Sequence, residues 1–341
     1  MSLDLNAIKL DKQYVVECID THTAGEPLRT IVAGIPEPQG QTMLAKRRYC
    51  QSEYEHFRRA LMFEPRGHAD MYGALITQPE HPSSNFGVLF MHNEGYSTMC
   101  GHAIIALTQL HKHANTHNGH EEVALSIDTP AGTIHSFYRD DSDIVKFTNV
   151  PAFVHCLDES VHLPLYGQVS CDVAFGGAFY GFVNADELDI SLSLDNHSEL
   201  ISVGQQIKAQ LAPKLNLDHP DADMNFLYGI IFYSNSQLHN TEHFSRHVCI
   251  FAEGELDRSP TGTGVSARVA ILHQRNQLKK GQSVFIEGIL GAGFHVAIDA
   301  LCVAYQRDAI VPVVSGQAYI TGTHQFYLDP QDPLIQGFIL R

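Results

Sequence analysis

The chain has 341 residues, 44% of them hydrophobic, with 38 acidic against 22 basic side chains and a formal net charge of −16. This length is enough for two domains of ordinary size with a substantial buried core. The charge would repel a phosphate backbone and no basic cluster is longer than Lys46-Arg47-Arg48, which argues against nucleic acid as a partner.

In the first half, apolar patterning predicts strands, helices and one hairpin. The strands are expected at 14–19, 28–32, 71–76 and 86–92, the helices at 41–62 and 102–113, and the hairpin in VALSIDTPAGTIHSFYR. Pro130-Ala131-Gly132 supplies the turn of that hairpin.

The second half repeats this order of elements without repeating the sequence. Strands are expected at 168–175, 178–184, 226–234, 246–252, 283–289 and 294–304, and helices at 195–212 and 264–278. In each half an apolar strand is followed by a glycine-containing turn and a largely apolar helix, within GYSTMCGHAIIALTQL and ELDRSPTGTGVSARVAIL. We expect these two helices to be buried with their N-termini facing a cleft between two lobes.

No targeting or membrane segment is recognisable. The N-terminus MSLDLNAIKL lacks the basic and apolar regions of a signal peptide, and no later run reaches the roughly 18 apolar residues of a spanning helix. We therefore expect a cytoplasmic protein that does not act at a membrane.

The cysteines and histidines do not form a metal motif. Five or six of the seven cysteines lie in apolar runs, where free cysteine acts as a small hydrophobe, and Cys100 is the exception. The histidine-rich tract 111–120 has no acidic or cysteine partner at ligand spacing, so a helix end and surface loop is favoured over a metal site. No metal or other cofactor is predicted.

The two glycine-containing helix starts are candidate anion sites. A helix N-terminus presents unpaired N–H groups, and two such ends facing each other would bind a carboxylate. A nucleotide phosphate is disfavoured because GTGVSAR lacks both the G-K-[ST] of a P-loop and the third glycine of G-x-G-x-x-G.

The same two loops carry candidate catalytic groups. Cys100 lies at a helix start, where the dipole would lower the thiol pKa, although an inert buried cysteine is an equal alternative. His102, in the first turn, is expected to be neutral. Asp257 is either a site residue or a solvated or capping loop residue. A cysteine hydrolase and a base that removes a proton from carbon both remain open.

Six segments resemble the proline racemase family, in the expected order and over most of the length. They are DTHTAGEP (20–27), EPRGHADMYGA (64–74), MCGHAIIAL (99–107), FGGAFY (175–180), DRSPTGTG (257–264) and DPQDPLIQGF (329–338). The first two are expected to be mainly structural, through the turn and close-packing roles of their glycines and Pro27.

The resemblance implies an α+β fold of the diaminopimelate-epimerase type, with two similar lobes. In each lobe a curved, mainly antiparallel sheet surrounds a central helix, and the active site lies in the cleft between the lobes. The expected lobes are residues 1–150, with Cys100, and 151–324, with Asp257 and Thr261; the tail 325–341 is a candidate to return to the first lobe. Homodimers are common in the family.

The resemblance also implies the site residues. Asp257 and His102 would hold the substrate ammonium, and backbone N–H groups of four residues would hold its carboxylate. Those four are Gly101, His102, Gly262 and Thr263. Phe251 matches an aromatic wall of the pocket, with a core strand position as its alternative.

Thr261 departs from the racemases of the family, which have a second cysteine at this position. Inversion needs an acid/base on each face of the α-carbon, and a threonine hydroxyl is too weak an acid and base for this. Cys100 alone could instead remove the α-proton of trans-3-hydroxy-L-proline, and the thiol or His102 could protonate the departing hydroxyl. The expected activity is a dehydratase that yields 1-pyrroline-2-carboxylate; the alternatives are a hydroxyproline epimerase or proline racemase, and a non-catalytic imino-acid-binding protein.

Overall fold

The fold is a mixed α+β arrangement, as the sequence predicts. The computed structural model describes residues 11–115 and 120–340. Within these ranges, eighteen strands form one connected set of hydrogen-bonded ladders, and five α-helices pack against them.

The first half of the chain contains eight strands and three helices. They are β1 Val15–Thr23, β2 Glu26–Ala33, α1 Met43–Glu53, α2 Glu55–Met62, β3 Tyr72–Thr77, β4 Phe86–His92, β5 Gly95–Ser97, α3 Gly101–Ala114, β6 Val123–Thr129, β7 Gly132–Tyr138 and β8 Val145–Thr148. The single helix predicted at 41–62 is wrong. It is broken at Tyr54, whose ψ of 13° turns the chain while its ring packs edge-on against Tyr49 and Phe57.

The second half contains ten strands and two helices. They are β9 Phe153–Leu163, β10 Gly167–Phe175, β11 Phe179–Asn184, α4 His197–Leu211, β12 Leu227–Ser234, β13 Ser245–Phe251, β14 Glu255–Asp257, α5 Gly262–Gln274, β15 Ser283–Glu287, β16 Gly293–Ala304, β17 Arg307–Gly316 and β18 Ala318–Tyr327. The sequence did not predict β9, β17 or β18.

Strand pairing is the same in the two halves. Antiparallel β1–β2, parallel β2–β3, antiparallel β3–β4, parallel β4–β6 and antiparallel β6–β7 follow one another in the first half. The second half repeats this as β10–β11, β11–β12, β12–β13, β13–β15 and β15–β16. Each parallel pair is connected through helix, as parallel neighbours require. The two similar lobes are therefore confirmed.

The halves are joined by strand pairing and by the returning C-terminal segment. β8 pairs with β17, and β18 pairs with β1 from Ala318 to Tyr327. Further on, Phe338 forms a bridge with Glu64. The lobe boundaries at 150 and 324 stay a prediction.

The central helices α3 and α5 meet at their N-termini. Residues 101–109 and 262–272 are buried, as their apolar patterning predicts. A Cβ built on Gly101 would lie 2.6 Å from the Cα of Gly262, so neither position has room for a side chain. The two lobes thus bring their helix starts into direct contact.

The FGGAFY segment supports the start of α5. A Cβ on Gly176 would lie 2.3 Å from the Thr263 carbonyl oxygen, and the Asn149 side chain donates to both the Gly176 carbonyl and Ser266 Oγ. The glycines of this motif therefore allow a loop to pack directly on the helix. No helix within the described ranges is long and apolar enough to cross a membrane.

Candidate active site

A cavity of about 20 Å³ lies where α3 and α5 begin. Both halves of the chain line it. The lining residues are Glu26, Tyr72, Met99, Cys100, Gly101, His102, Tyr180, Tyr228, Phe251, Asp257, Thr261, Gly262 and Thr263. All eight residues that the sequence nominated for the site surround this cavity.

Larger cavities lie elsewhere among the described residues, and two of them have volumes of about 450 and 660 Å³. The first contains Asp128, whose carboxylate is already occupied by hydrogen bonds from the backbone of Glu80 and His81. The second contains Arg307, which pairs with Asp218. The small cavity is distinguished by its place at the N-termini of both central helices, where a thiol, an imidazole and two carboxyl groups lie beside the first turns of α3 and α5.

Cys100 is the N-cap residue of α3, and its sulfur lies 3.2 Å from His102 Nδ1. The Ala103 N–H and the Tyr72 hydroxyl donate hydrogen bonds to this sulfur. Burial nevertheless raises the pKa of the thiol well above 9.0, and the negative charge of Asp257 acts in the same direction. The lowered pKa expected from the helix dipole is therefore wrong, since desolvation outweighs the dipole.

His102 is a neutral imidazole, as expected from its place in the first turn. Burial lowers its pKa from 6.5 to about 4, although Asp257 and a hydrogen bond to the Pro27 carbonyl favour the charged form. The Thr23 hydroxyl donates to the His102 carbonyl oxygen at 3.0 Å. These contacts fix the ring beside the Cys100 sulfur.

Asp257 is at the end of β14, where two donors satisfy its carboxylate. The Ser259 N–H donates to Oδ1 at 2.8 Å, and the Thr261 hydroxyl donates to Oδ2 at 2.7 Å. Both oxygens thus have the hydrogen bonds that stabilise a carboxylate anion. Asp257 is 5% exposed, so the solvated alternative is wrong, whereas the bonds from Ser259 and Thr261 agree with the local capping alternative, and its role as a site residue stays a prediction.

Thr261 adopts a conformation that is rare for its side chain. It precedes α5 with φ of 66°, in the left-handed region, and its hydroxyl makes no capping bond to the helix. A β-branched residue is strained in this region, and such strain is concentrated at functional sites. In this conformation the Thr261 side chain lines the cavity and lies beside Asp257.

The helix starts leave backbone donors available. The first helical bonds run from Ile104 N–H to the Cys100 carbonyl and from Val265 N–H to the Thr261 carbonyl. The N–H groups that precede them belong to the first turns, where a helix has no internal acceptor. Those of Gly101, His102, Gly262 and Thr263 belong to residues that line the cavity.

Aromatic rings close one side of the cavity. Phe251 stacks on Tyr228 with ring centroids 5.4 Å apart, and Tyr72 lies edge-on to His102 at 4.9 Å. On the α5 side, the Tyr180 hydroxyl is 2.7 Å from Thr263 Oγ1. Phe251 therefore combines both roles considered for it, as a buried strand residue and as a wall of the cavity.

Sequence reasoning missed five of the lining residues. Glu26 and Tyr72 fall inside two motifs that were treated as mainly structural, and Met99 and Tyr180 fall inside two others. Tyr228 has no local signal, because it is one of several aromatic residues in an apolar strand. For Glu26, the available signal was a carboxyl side chain directly after a glycine turn, in Ala24-Gly25-Glu26.

The described residues contain no group of His, Cys, Asp and Glu arranged to hold a metal ion. Part of the histidine-rich tract, residues 116–119, lies outside the described residues. In its described part, His111 is near the Tyr138 hydroxyl and His120 is near Asp141.

The model of the family described as proline racemase matches residues 18–339. The chain belongs to the proline racemase family. The match covers both halves and all the residues that line the cavity.

Two similar proteins are both named as dehydratases of trans-3-hydroxy-L-proline. A trans-3-hydroxy-L-proline dehydratase of Colwellia psychrerythraea is 45% identical over 98% of this chain and 95% of its own. A trans-L-3-hydroxyproline dehydratase of Xenopus tropicalis is 40% identical over 96% of each chain.

A solved member of the family supports the fold. A hydroxyproline epimerase from Agrobacterium vitis, solved with bound trans-4-hydroxy-L-proline, is 26% identical. It has a TM-score of 0.88 and is aligned over 96% of this chain and 95% of its own. The two-lobed fold expected from the sequence is thus found in this family.

Proposed function

We propose that this protein dehydrates trans-3-hydroxy-L-proline to 1-pyrroline-2-carboxylate. The observation that carries the proposal is that Cys100 is the thiol that lines the cavity, while Thr261, which also lines it, has a hydroxyl where the racemases of the family have a second cysteine. One acid/base can support elimination, whereas inversion needs two. The dehydratase names of the full-length relatives support the same conclusion.

The substrate carboxylate binds where α3 and α5 meet. The N–H groups of Gly101 and His102 approach it from one helix, and those of Gly262 and Thr263 from the other. Both helix dipoles are then directed at the negative charge that develops as the α-proton leaves. This stabilisation comes from the backbone alone.

Asp257 binds the ring ammonium, and His102 keeps the thiol in place. The ammonium brings a positive charge into a cavity that already contains Asp257 and Cys100. A cation next to the sulfur favours the thiolate and opposes the effect of burial. The substrate itself therefore promotes ionisation of the base.

The stereochemistry of the substrate is compatible with acid/base chemistry on a single face of the ring. In trans-3-hydroxy-L-proline the α-hydrogen and the 3-hydroxyl lie on the same face of the ring. The Cys100 thiolate removes the α-proton, its C–H electrons form the double bond to C3, and the bond from C3 to oxygen breaks. The departing oxygen takes a proton from an acid that lines the cavity and leaves as water. The resulting enamine tautomerises to 1-pyrroline-2-carboxylate.

The test is a panel of imino acids given to the purified protein. We expect ketimine formation from trans-3-hydroxy-L-proline, with no inversion of L-proline or trans-4-hydroxy-L-proline in D2O. Rapid α-deuteration with inversion would instead identify an epimerase or racemase. Binding of these compounds without any turnover would identify a non-catalytic imino-acid-binding protein. A cytoplasmic location and a homodimer stay predictions.

A further inference from the structure

Glu26 is a fully buried carboxyl group with one oxygen unoccupied. It is the first residue of β2 and follows a turn in which Ala24 and Gly25 have φ of 52° and 92°. Its Oε2 accepts the Arg258 N–H at 2.7 Å. Its Oε1 is buried without a hydrogen-bond partner, in a residue that lines the cavity.

We propose that Glu26 is the acid that protonates the departing 3-hydroxyl of the substrate. The proposal rests on the dehydratase function proposed above and adds the group that completes it. Glu26 shares the cavity with Cys100, the proposed base, and its open oxygen has no other use in the fold.

The two carboxyl groups of the site have different surroundings. Asp257 accepts a hydrogen bond on each oxygen, whereas Glu26 accepts only on Oε2. Two carboxylates in one buried cavity repel each other, so a proton is held by the one with fewer donors. That one is Glu26, and its hydroxyl is placed on the oxygen that has no partner.

The electrostatics of Glu26 agree with a protonated acid. Burial raises its pKa well above 4.5, and the charges of Asp257 and Asp70 raise it further. Arg258 acts in the opposite direction through its N–H and its guanidinium, whose Nη1 lies 3.7 Å from Oε2. A protonated Oε1 needs an acceptor, and the substrate hydroxyl is an acceptor of the right kind.

The other proton carriers of the cavity are less suitable. His102 has a pKa of about 4 and carries no spare proton near neutrality. Burial raises the pKa of the Tyr72 hydroxyl well above 10.0, which makes it a weak acid. The Cys100 thiol would have to take up the α-proton before it could release one, whereas Glu26 can act in the same step.

The proton balance of the step is complete. The C–H electrons form the new double bond as Cys100 thiolate takes the α-proton. The C3–O bond breaks, and its oxygen takes the Glu26 proton and leaves as water. Cys100 is then a thiol and Glu26 a carboxylate, and transfer of one proton from the thiol to the carboxylate restores the starting state.

The test compares two leaving groups in the variant Glu26→Gln. The amide keeps the size of the side chain and an acceptor for the Arg258 N–H, but it is no acid. With trans-3-hydroxy-L-proline we expect kcat to fall about 10²- to 10⁴-fold, the usual contribution of a general acid. With trans-3-chloro-L-proline, whose chloride leaves without a proton, we expect a loss of less than about tenfold on the same reasoning.

Asp70→Asn is the matched control. Asp70 is an acidic neighbour that also raises the pKa of Glu26, but it does not line the cavity. Its variant keeps the acid in place, so it should reduce kcat only slightly on both substrates, and any selective loss on the hydroxy substrate should be confined to higher pH, where a lowered Glu26 pKa removes the proton earlier. Equal losses of kcat on both substrates in Glu26→Gln would overturn the role of Glu26 as the acid. Failure of the unaltered protein to dehydrate the hydroxy substrate would overturn the proposed function as well, so the two failures are distinguishable.

A pH profile of the unaltered protein covers the case in which Glu26→Gln does not fold. Asp257, Asp70, Arg258 and Cys100 all influence Glu26, and they act on both substrates. The ratio of kcat for the hydroxy substrate to kcat for the chloro substrate therefore isolates the leaving group. We expect this ratio to fall as pH rises and Glu26 loses its proton; a constant ratio would overturn the proposal.

Discussion

Thr261 Oγ1 donates a hydrogen bond of 2.7 Å to Oδ2 of Asp257. Racemases of the family have their second cysteine at this position. In this protein the hydroxyl at that position donates to Asp257, the carboxylate that we propose binds the substrate ammonium. In the proposed mechanism Thr261 holds Asp257 in place, and it leaves the second face of the α-carbon without an acid or base.

Thr261→Cys should restore chemistry on the second face. A thiol there could exchange protons with the α-carbon on the side opposite Cys100. We expect α-deuteration with inversion of L-proline or trans-4-hydroxy-L-proline, followed by NMR and chiral chromatography in D2O.

Thr261→Ser is the control for this gain, since it keeps a hydroxyl donor for Asp257 and adds no thiol. It should show no inversion. A folded Thr261→Cys protein with no α-exchange would mean that the second face is closed for a reason other than the missing acid/base.

Thr261→Val should weaken both stability and substrate binding. Valine keeps the β-branched shape, and hence the strain at φ of 66°, but removes the hydrogen bond to the buried Asp257. Loss of a donor to a buried charged group costs about 2 kcal/mol. Urea denaturation should show this loss, and KM should rise. Thr261→Ser again serves as the control, and equal unfolding free energies for the Val and Ser variants would contradict the prediction.

The activity should rise with pH into the alkaline range. Burial raises the pKa of Cys100 well above 9.0, and kcat/KM reports the free enzyme, in which the base must lose its proton. We therefore expect kcat/KM for trans-3-chloro-L-proline, whose leaving group needs no acid, still to increase above pH 9. Cys100→Ser should remove the activity at every pH. A plateau reached below pH 7 would show that the thiol is already ionised in the free enzyme.

Stability should fall as the pH is lowered from 6.5 towards 4. Unfolded His102 takes up a proton near pH 6.5, whereas in the fold its pKa is about 4, so within this window the unfolded state binds more protons. The difference is worth ~3 kcal/mol by linkage. Urea unfolding at several pH values, compared with His102→Gln, measures it. Identical pH dependence in the two proteins would refute the assignment.

Gly101→Ala should separate the two helix starts. Its Cβ would lie 2.6 Å from the Cα of Gly262, where only backbone could move. Displacing the carboxylate donors by about 1 Å should cost about 10²-fold in kcat/KM. Gly322→Ala, whose Cβ would meet only the tip of the partly exposed His324 ring at 3.1 Å, is the control and should be fully active. Full activity of Gly101→Ala would contradict the role of this contact.

Local patterns predicted the duplicated architecture, and the resemblance to the proline racemase family supplied most of the eight residues nominated for the cavity. Cys100, His102, Asp257 and Thr261 lie at or beside the points where a strand gives way to α3 or α5, and the duplication brings these two points together. The strands β17 and β18 were not predicted in this way, since β17 also pairs with the distant β8 and β18 pairs with the distant β1.

The electrostatics of the site were less predictable than its position. The direction of the Cys100 pKa depends on burial by residues remote in sequence, which outweighs the local helix dipole. Glu26 was missed for a related reason: its hydrogen bond to Arg258 spans 232 positions along the chain. Both effects depend on contacts between residues far apart in the chain, which the periodicity of apolar residues does not reveal.

The hydrogen bond from Arg258 to Glu26 joins the two lobes beside a cavity of about 20 Å³, which has room for about one water molecule. A five-membered imino acid can enter only if the lobes part, and parting them breaks this bond. Each closing then isolates the protonated Glu26 together with the substrate. Because the Cys100 thiol returns its proton to Glu26 after the elimination, the site would need to open only to exchange product for substrate, and bulk water would take no part in the proton balance.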